Sequence, residues 1–479
     1  MLTRRALVPL AAAALAGVYP IAASGSSIHA AVRFRNVVLA SQGNYGEPSL
    51  ALAPDGRHVA VCVPGGGGTK VWWSGDDGHT FGTTATTSNN GGGDCELDFL
   101  PNGTLLNADL EVTDSNVKVS KDFGKTFDGG RPVGVEQDRQ WFAHSPDGKT
   151  AYLVYHDFAA EGEFFARSTD GGLTWPAADG ANPVNGADQV APGTAVTPAQ
   201  GGSPASIVDQ GGNTFSGPML ISPDGRDSYV VYSISDIGSN AKSATPPYGP
   251  TRGIIVAHKS AEAAAFTNKY AVTSNNGEVN GAIFPWGTID KAGNVYLLYN
   301  SDLGSPGHFH TYYKVSKDKA ATWSAPVKVD DAPLDRGAQL YSTGMAGANG
   351  VLDMAWYGTD NGANPGDKTS TWKVHFAQIR NATSAHPQIT RAIVSPGNIH
   401  AGDICLNGLL CTVGGDRSLL DFFELAIGKD GMAYIAYANN AGFGQHPSTG
   451  LTAPVTHAVV KNGRVVFAKQ TSGRSAWSK

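Results

Sequence analysis

The sequence is poor in charge. Asp, Glu, Lys and Arg make up 16% of its 479 residues, and the balance is −6. Without a basic surplus there is no electrostatic footprint for a nucleic-acid partner. Long apolar runs are scarce too: the run from Ala6 to Val18 is shorter than the roughly 20 residues a spanning helix needs, so stable membrane insertion is not expected. Only four cysteines occur, with no Cys-x-x-Cys and no His at zinc spacing from them, so a metal site has no ligand pattern behind it. Gly-x-Ser-x-Gly, a Walker loop and His-Glu-x-x-His are all missing. The lone His308-Phe-His310 reads as a solvated loop pair.

Glycine and proline are plentiful, 61 and 27 residues, which implies many turns and few long helices. One stretch, Ser74-Gly-Asp-Asp-Gly-His-Thr-Phe81, is repeated as Ser120 to Phe127, Ser168 to Trp175 and, less cleanly, Ser316 to Trp323. The shared pattern, Ser-x-Asp-x-Gly-x-Thr-aromatic, is that of a tight hairpin turn. Its carboxylate (Asp76, Asp122, Asp170, Asp318) can accept hydrogen bonds from the turn's own amides, while Gly takes the positive φ. These aspartates are read as structural, their donors partly buried.

Between these turns runs a second repeat: a short apolar strand, a turn on Asp-Gly or a variant, and a second strand. The turns are Asp55-Gly56, Asn102-Gly103, Asp147-Gly148, Asp224-Gly225, Ala292-Gly293, Asn349-Gly350 and Asp430-Gly431. Such dipeptides between apolar runs mark hairpins. Each inner hairpin is followed by outer strands, with a decayed turn near Ser260 to Phe266 in unit four. Outer strands Thr371 to Ile379 and Thr456 to Lys469 complete units six and seven. Two hairpins per unit give a four-stranded blade, so the expected fold is an all-β propeller of seven blades, or six if one unit is an insertion.

The eight-residue turn resembles the Asp-box, the bacterial neuraminidase repeat of the sialidase superfamily. The resemblance covers most of the chain after about residue 40 and implies a propeller with these turns at the outer hairpins. Asp-boxes also occur in xyloglucanases, sortilin-type receptors and non-catalytic glycan binders. Sialidases have six blades, one fewer than the count here.

Residues 1–31 read as a bacterial export signal, with Arg4-Arg5 before the apolar run, either Sec or twin-arginine, leaving residues 32–479 as one secreted domain. In an oxidising compartment four cysteines suit two disulfides, Cys405–Cys411 stapling a loop and Cys62–Cys95 tying the first two repeats together. Pro176–Pro218, Ser239–Thr251, Tyr357–Thr369 and Arg380–Gly415 read as long polar connections.

Chemistry in a propeller belongs where the innermost strands open onto the central channel. The residues there are Glu47, Asp94, Glu96, Asp138-Arg139, Phe284, Trp286, Arg336, Gln339, Tyr341 and Asp416-Arg417. An Arg fork suits a ligand carboxylate, yet an Asp-Arg pair also suits a salt bridge closing two blades. Both readings stand. The sialidase resemblance implies three arginines on an acidic sugar, a Tyr nucleophile with a Glu, and an Asp acid/base. Its opening motif is met only by Phe34-Arg35. Candidates are Arg139, Arg417 and Arg336 or Arg35 on the substrate with Glu96 and Trp286, Tyr341 as nucleophile with Glu47, and Asp138 as acid/base. No cofactor is required, although Asp94, Glu96 and Asp138 could take Ca²⁺. The expectation is a secreted monomer that acts on a glycan, with release of terminal acidic sugars as its exo-glycosidase form. The alternative is a propeller that binds glycan or protein without catalysis.

Overall fold

All seven inner hairpins form, because each turn has the residue its backbone demands. Gly56, Gly103, Gly148, Gly225, Gly293, Gly350 and Gly431 lie at φ between 67° and 86°, where a side chain is strained. The structure, a computed structural model, describes residues 31–478 apart from 41–45, 65–67, 87–92, 112–113, 135–136, 158–161, 176–195, 198–213, 236–250, 264–265, 275–277, 282, 304, 306, 407–415 and 441–462. The expected export signal thus lies outside the described residues, save Ala31, as does most of the Pro176–Pro218 connection.

The described strands make seven sheets, antiparallel but for the short parallel strand Val196–Thr197 at the edge of the fourth, and these are the blades of a seven-bladed β-propeller. Blade 1 runs outward through Ser49–Leu52, Val59–Pro64, Thr69–Ser74 and Gly82–Ala85. Blade 2 spans Cys95–Phe99 to Arg131–Val133, and blade 3 Gln137–His144 to Gly162–Ser168, with three described strands. Blade 4 spans Thr214–Ile221 to Thr267–Thr273 and blade 5 Trp286–Ile289 to Val327–Lys328. Blade 6 starts at Gln339–Ala346 and ends in Gln388–Ile393, so part of the expected Arg380–Gly415 loop is an outer strand. Blade 7 has Glu424–Ile427, Ala433–Asn439 and Arg464–Ser472, and its outermost strand is Arg33–Ala40, from the start of the ring.

That closure corrects one expectation. Phe34-Arg35 does not open onto the channel. Arg35 donates to the carbonyls of Gly78 (2.6 Å) and Asp77 (3.0 Å), on the turn of blade 1. Joining the first strand to the last sheet leaves no open seam in the ring.

The core lies between blades as much as within them. Leu106, Val117, Phe142 and Tyr155 join blades 2 and 3, and Val61, Trp72, Tyr434 and Phe467 join blades 1 and 7. Each such apolar side chain, fully buried, is worth about 1.5–3 kcal/mol. A disulfide, Cys62–Cys95, ties the second strand of blade 1 to the innermost strand of blade 2. Cys405 is also disulfide-bonded, and its expected partner, Cys411, lies outside the described residues.

Inner turns and Ser-Asp-Thr turns both follow odd-numbered strands, so they share one face of the ring. On that face the repeated turn has one geometry four times. In blade 2, Asp122 Oδ1 accepts from the Thr126 amide (2.8 Å) and Oδ2 from the Thr126 hydroxyl (2.7 Å). Ser120 Oγ accepts from the Gly124 amide (2.8 Å) and donates to Asp122 (2.8 Å). Of the donors to the aspartate, the Thr126 amide and hydroxyl are exposed and the Ser120 hydroxyl is partly buried, and the serine is the buried residue of the turn. Two successive residues take positive φ: Asp77 and Gly78, Phe123 and Gly124, Gly171 and Gly172, Lys319 and Ala320. Blade 5 therefore keeps the turn without any glycine.

Candidate functional site at the channel mouth

The opposite face carries the residues that open each innermost strand, and its backbone is irregular there. Pairing slips at Asp138/Gln140 in blade 3 and at Leu340/Thr343 in blade 6. Such bulges re-aim a side chain. Arg139 (φ 42°) and Tyr341 (φ 56°) sit within them, and Glu47 (φ 47°), Ile283 (φ 74°) and Leu420 (φ 53°) take the same left-handed conformation in blades 1, 5 and 7. A non-glycine residue held there costs on the order of 1–3 kcal/mol, and such strain gathers at functional sites. Three of the five are sequence candidates.

Two polar groups result. The deeper one is centred on Arg139, 2% exposed, whose guanidinium lies 3.6 Å from the Trp141 ring centre and 3.9 Å from that of Phe422. It donates to Glu96 Oε2 (2.8 Å) and the Cys95 carbonyl (3.3 Å), and lies 3.7 Å from Glu424 Oε1. Glu424 Oε2 accepts from the Ser49 hydroxyl (3.0 Å) and the Leu50 amide (2.6 Å), and Ser49 Oγ accepts from the Leu97 amide (3.1 Å). Blades 7, 1, 2 and 3 are thereby joined around the axis. Burial, then the charge of Glu424, raises the Glu96 carboxyl well above its usual range, and burial likewise raises Glu424.

The second group surrounds Tyr341, which is 3% exposed and meets Tyr357 edge-on at 6.0 Å. Arg417 forms an ion pair with Asp421, whose amide donates to Glu47 Oε1 (3.1 Å). Burial first, then Asp94 and Asp421, pushes Glu47 well up. Burial lifts Asp421 to about 6 against the pull of Arg417. Burial and Asp421 raise the Tyr341 hydroxyl far above its ordinary value, opposed by Arg417. Among the described residues, the Tyr341 hydroxyl, Asp421 Oδ1 and Arg417 Nε are buried without a hydrogen-bond partner. Buried polar atoms are nearly always satisfied, so three unsatisfied ones at one point mark a place for a ligand or water.

The structure thus brings together Glu47, Tyr341 and Arg417, with Asp94. It does not bring the proposed arginines to one carboxylate. Arg139 bridges to Glu96 and Glu424, whereas Arg417 pairs with Asp421. Asp416 accepts from the Ser418 amide (2.7 Å) instead. Arg336 has a 62% exposed side chain 3.6 Å from Asp335. Glu96 lies under Arg139. Trp286, expected on the substrate, is 8% exposed, donates to the Gly344 carbonyl (2.9 Å) and packs edge-on against Trp141 (5.2 Å), so it is core. Asp138 lies opposite His156 in register, and its side chain is outside the described residues. His310, expected in solvent, is buried against Asp330 (2.9 Å). No group of three His, Cys, Asp or Glu among the described residues is arranged to hold a metal.

Sequence reasoning does not single out Asp421 or Glu424. Glu424 opens the innermost strand of blade 7, as Glu96 does near the start of that of blade 2, so blade-to-blade equivalence could have found it. Asp421 carries no such signal.

No family model matches the chain, and no curated protein matches it by sequence. Solved structures do. An ulvan lyase of polysaccharide lyase family PL25 aligns at 11% identity over 92% of this chain and 96% of its own, with a TM-score of 0.50. A GH74 xyloglucanase from Xanthomonas campestris aligns at 14% identity over 85% of this chain and 53% of its own, with a TM-score of 0.47. At such identity the likeness to the lyase is one of fold.

Proposed function

We propose that this is an exported propeller that acts on a glycan at its channel mouth, with Tyr341, Glu47, Asp421 and Arg417 as its working groups. One observation carries the reading: the buried, unpartnered Tyr341 hydroxyl stands among ionisable groups on strained backbone. Glu47, held protonated by burial and its carboxylate neighbours, suits a general acid. Tyr341, flanked by Asp421 and Glu47, suits a nucleophile or proton carrier. The same fold in a polysaccharide lyase supports a glycan as partner, and the Cys62–Cys95 disulfide supports export to an oxidising compartment.

The narrower exo-sialidase form, which releases a terminal acidic sugar, rests on Arg417 as the guanidinium beside Tyr341. Arg139 is enclosed between Trp141 and Phe422, and Arg336 pairs with Asp335.

The test is a screen of the secreted protein on fluorogenic glycosides, sialosides included, and on polysaccharides, with reducing ends and unsaturated products both followed. Turnover that disappears in Tyr341→Phe is the expected result. Binding without turnover would favour the non-catalytic alternative, and neither binding nor turnover would overturn the reading.

A further inference from the structure

On the turn face, opposite the mouth, a cavity of about 320 Å³ opens at the junction of blades 4 and 5. It lies between the inner turns of these blades and the repeated turn of blade 5, and its volume is within the range of ligand pockets. The junction of blades 7 and 1 leaves only about 10 Å³, room for one water. The two junctions are built from matching positions. Tyr434 of blade 7 and Tyr229 of blade 4 hold the same place in their blades, opposite Ala426 and Lys469 in one and Leu220 and His258 in the other. Asp77 and Lys319 are the fourth, left-handed residues of the repeated turns that reach back to them.

At the closed junction this chain supplies its own carboxylate. The Tyr434 hydroxyl donates to Asp77 Oδ1 (2.5 Å), and the Lys469 ammonium pairs with Asp77 and also with Asp430 (2.8 Å). At the open junction that carboxylate is missing. Lys319 stands in its place and turns to Asp227 (2.8 Å), which also meets His258 Nε2 (2.8 Å). Tyr229, 1% exposed, lines the cavity, and its hydroxyl has no hydrogen-bond partner among the described residues. Burial, then the charges of Asp227 and Asp224, keeps that hydroxyl protonated, so it is a donor.

Three ammonium groups, Lys291, Lys317 and Lys319, line the cavity against two carboxylates, Asp224 and Asp227. Both carboxylates are already engaged, Asp224 Oδ1 by the Ser222 hydroxyl (2.5 Å) and the Arg226 amide (3.1 Å). The Lys291 ammonium lies 3.8 Å from the Trp477 ring centre, whereas Lys317 has no ion pair among the described residues. The closed junction shows that a further carboxylate is held beside an acidic neighbour when an ammonium stands between them, as Lys469 does.

We propose that the cavity between blades 4 and 5 is a second binding site, which takes the carboxylate of an acidic sugar where blade 1 inserts Asp77. The carboxylate accepts from the Tyr229 hydroxyl and from Lys317, with Lys291 at the rim. The sugar as carrier rests on the glycan reading above; the preference for a carboxylate does not. A site on this face attaches the protein to an acidic glycan without occupying the mouth.

The experiment is lysine acetylation of the secreted protein, read by mass spectrometry, with the methyl glycoside of glucuronic acid or of glucose, or with acetate, at equal concentration. Glucuronate should slow acetylation of Lys317 saturably, while Lys149, whose side chain is 81% exposed, should react at one rate throughout. Tyr229→Phe removes a hydroxyl with no protein partner, so it should keep its stability and weaken glucuronate about tenfold, the scale of one charge-assisted hydrogen bond. Equal protection by the glucoside, or an unchanged affinity in Tyr229→Phe, overturns the site. Equal protection by acetate overturns the sugar as carrier. Absence of protection while glycans still turn over at the mouth overturns this inference and spares the glycan reading. Protection without turnover or binding at the mouth overturns that reading and leaves the carboxylate site standing.

Discussion

The two faces of the ring handle left-handed backbone in opposite ways. On the turn face, positive φ falls on glycine in all seven inner turns, and in the four Ser-Asp-Thr turns on residues enclosed by their own Ser, Asp and Thr. At the mouth it falls on Glu47, Arg139, Ile283, Tyr341 and Leu420, none of them glycine. The surrounding blades hold it in place. The turn face stabilises itself from within a few residues, whereas the mouth is held strained by the whole ring and leaves polar atoms unsatisfied.

Tyr341→Phe should break the comparison most visibly. It removes a hydroxyl that has no partner among the described residues, so thermal stability should stay the same or rise slightly. Glycan turnover should fall by about 10²–10⁴-fold, the usual contribution of a positioned proton-transfer group. A variant that keeps its turnover would remove Tyr341 from the working groups.

Arg139→Ala tests whether the deeper group is structural. It leaves Glu96 and Glu424 buried without their guanidinium and should cost about 3–5 kcal/mol by denaturant unfolding. Unchanged stability with lost ligand binding would instead make Arg139 a ligand fork. The Cys62–Cys95 link closes a loop of sequence separation 33, so Cys62→Ser should cost roughly 3–4 kcal/mol by loop entropy. On reduction, the intact mass of the exported protein should rise by that of four hydrogen atoms, and freely alkylated thiols in the native protein would contradict both disulfides.

On the turn face, Ser120→Ala strands the buried Gly124 amide and should cost about 1–3 kcal/mol, with turnover per folded molecule unchanged. Asp122→Ala removes the more exposed partner and should cost less. If it costs more, or abolishes binding without unfolding, the aspartate does more than close a turn.

The smallest effect is a difference of sign in pH dependence. Hydrogen bonds from the Thr322 hydroxyl and amide hold Asp318 down at about 2, below its unfolded value of about 4. That contribution is present above about pH 4 and is lost as pH falls toward 2, and solvent screening keeps it small. At the mouth, burial raises Asp421 to about 6, so the folded protein holds a proton that the unfolded chain has released. That contribution is greatest below about pH 4 and is lost as pH rises through 6. Asp421→Asn should flatten the decline of Tm between pH 4 and 7 by a few degrees, while Asp318→Asn should change only the acid limb. The same slope in Asp421→Asn and the parent would remove Asp421 from this account.

The sequence by itself determined the blades. Asp-Gly and Asn-Gly turns, apolar runs and the Ser-Asp-Thr turn act within about ten residues, so each hairpin is encoded where it stands. Seven such units already give the ring its count, and a pair of cysteines joins its first two blades. The tertiary structure decided which arginine meets which carboxylate, that the strand holding Arg35 closes blade 7, and that Trp286 is core. Arg139 and Arg417 look alike in sequence because each follows an aspartate. They differ because a bulge turns one to the axis between Glu96 and Glu424, while the other meets Asp421 within its own segment. Contacts at a propeller's axis join residues from blades hundreds of positions apart in the chain. Only the closing of the ring fixes such distances, and no local pattern carries them.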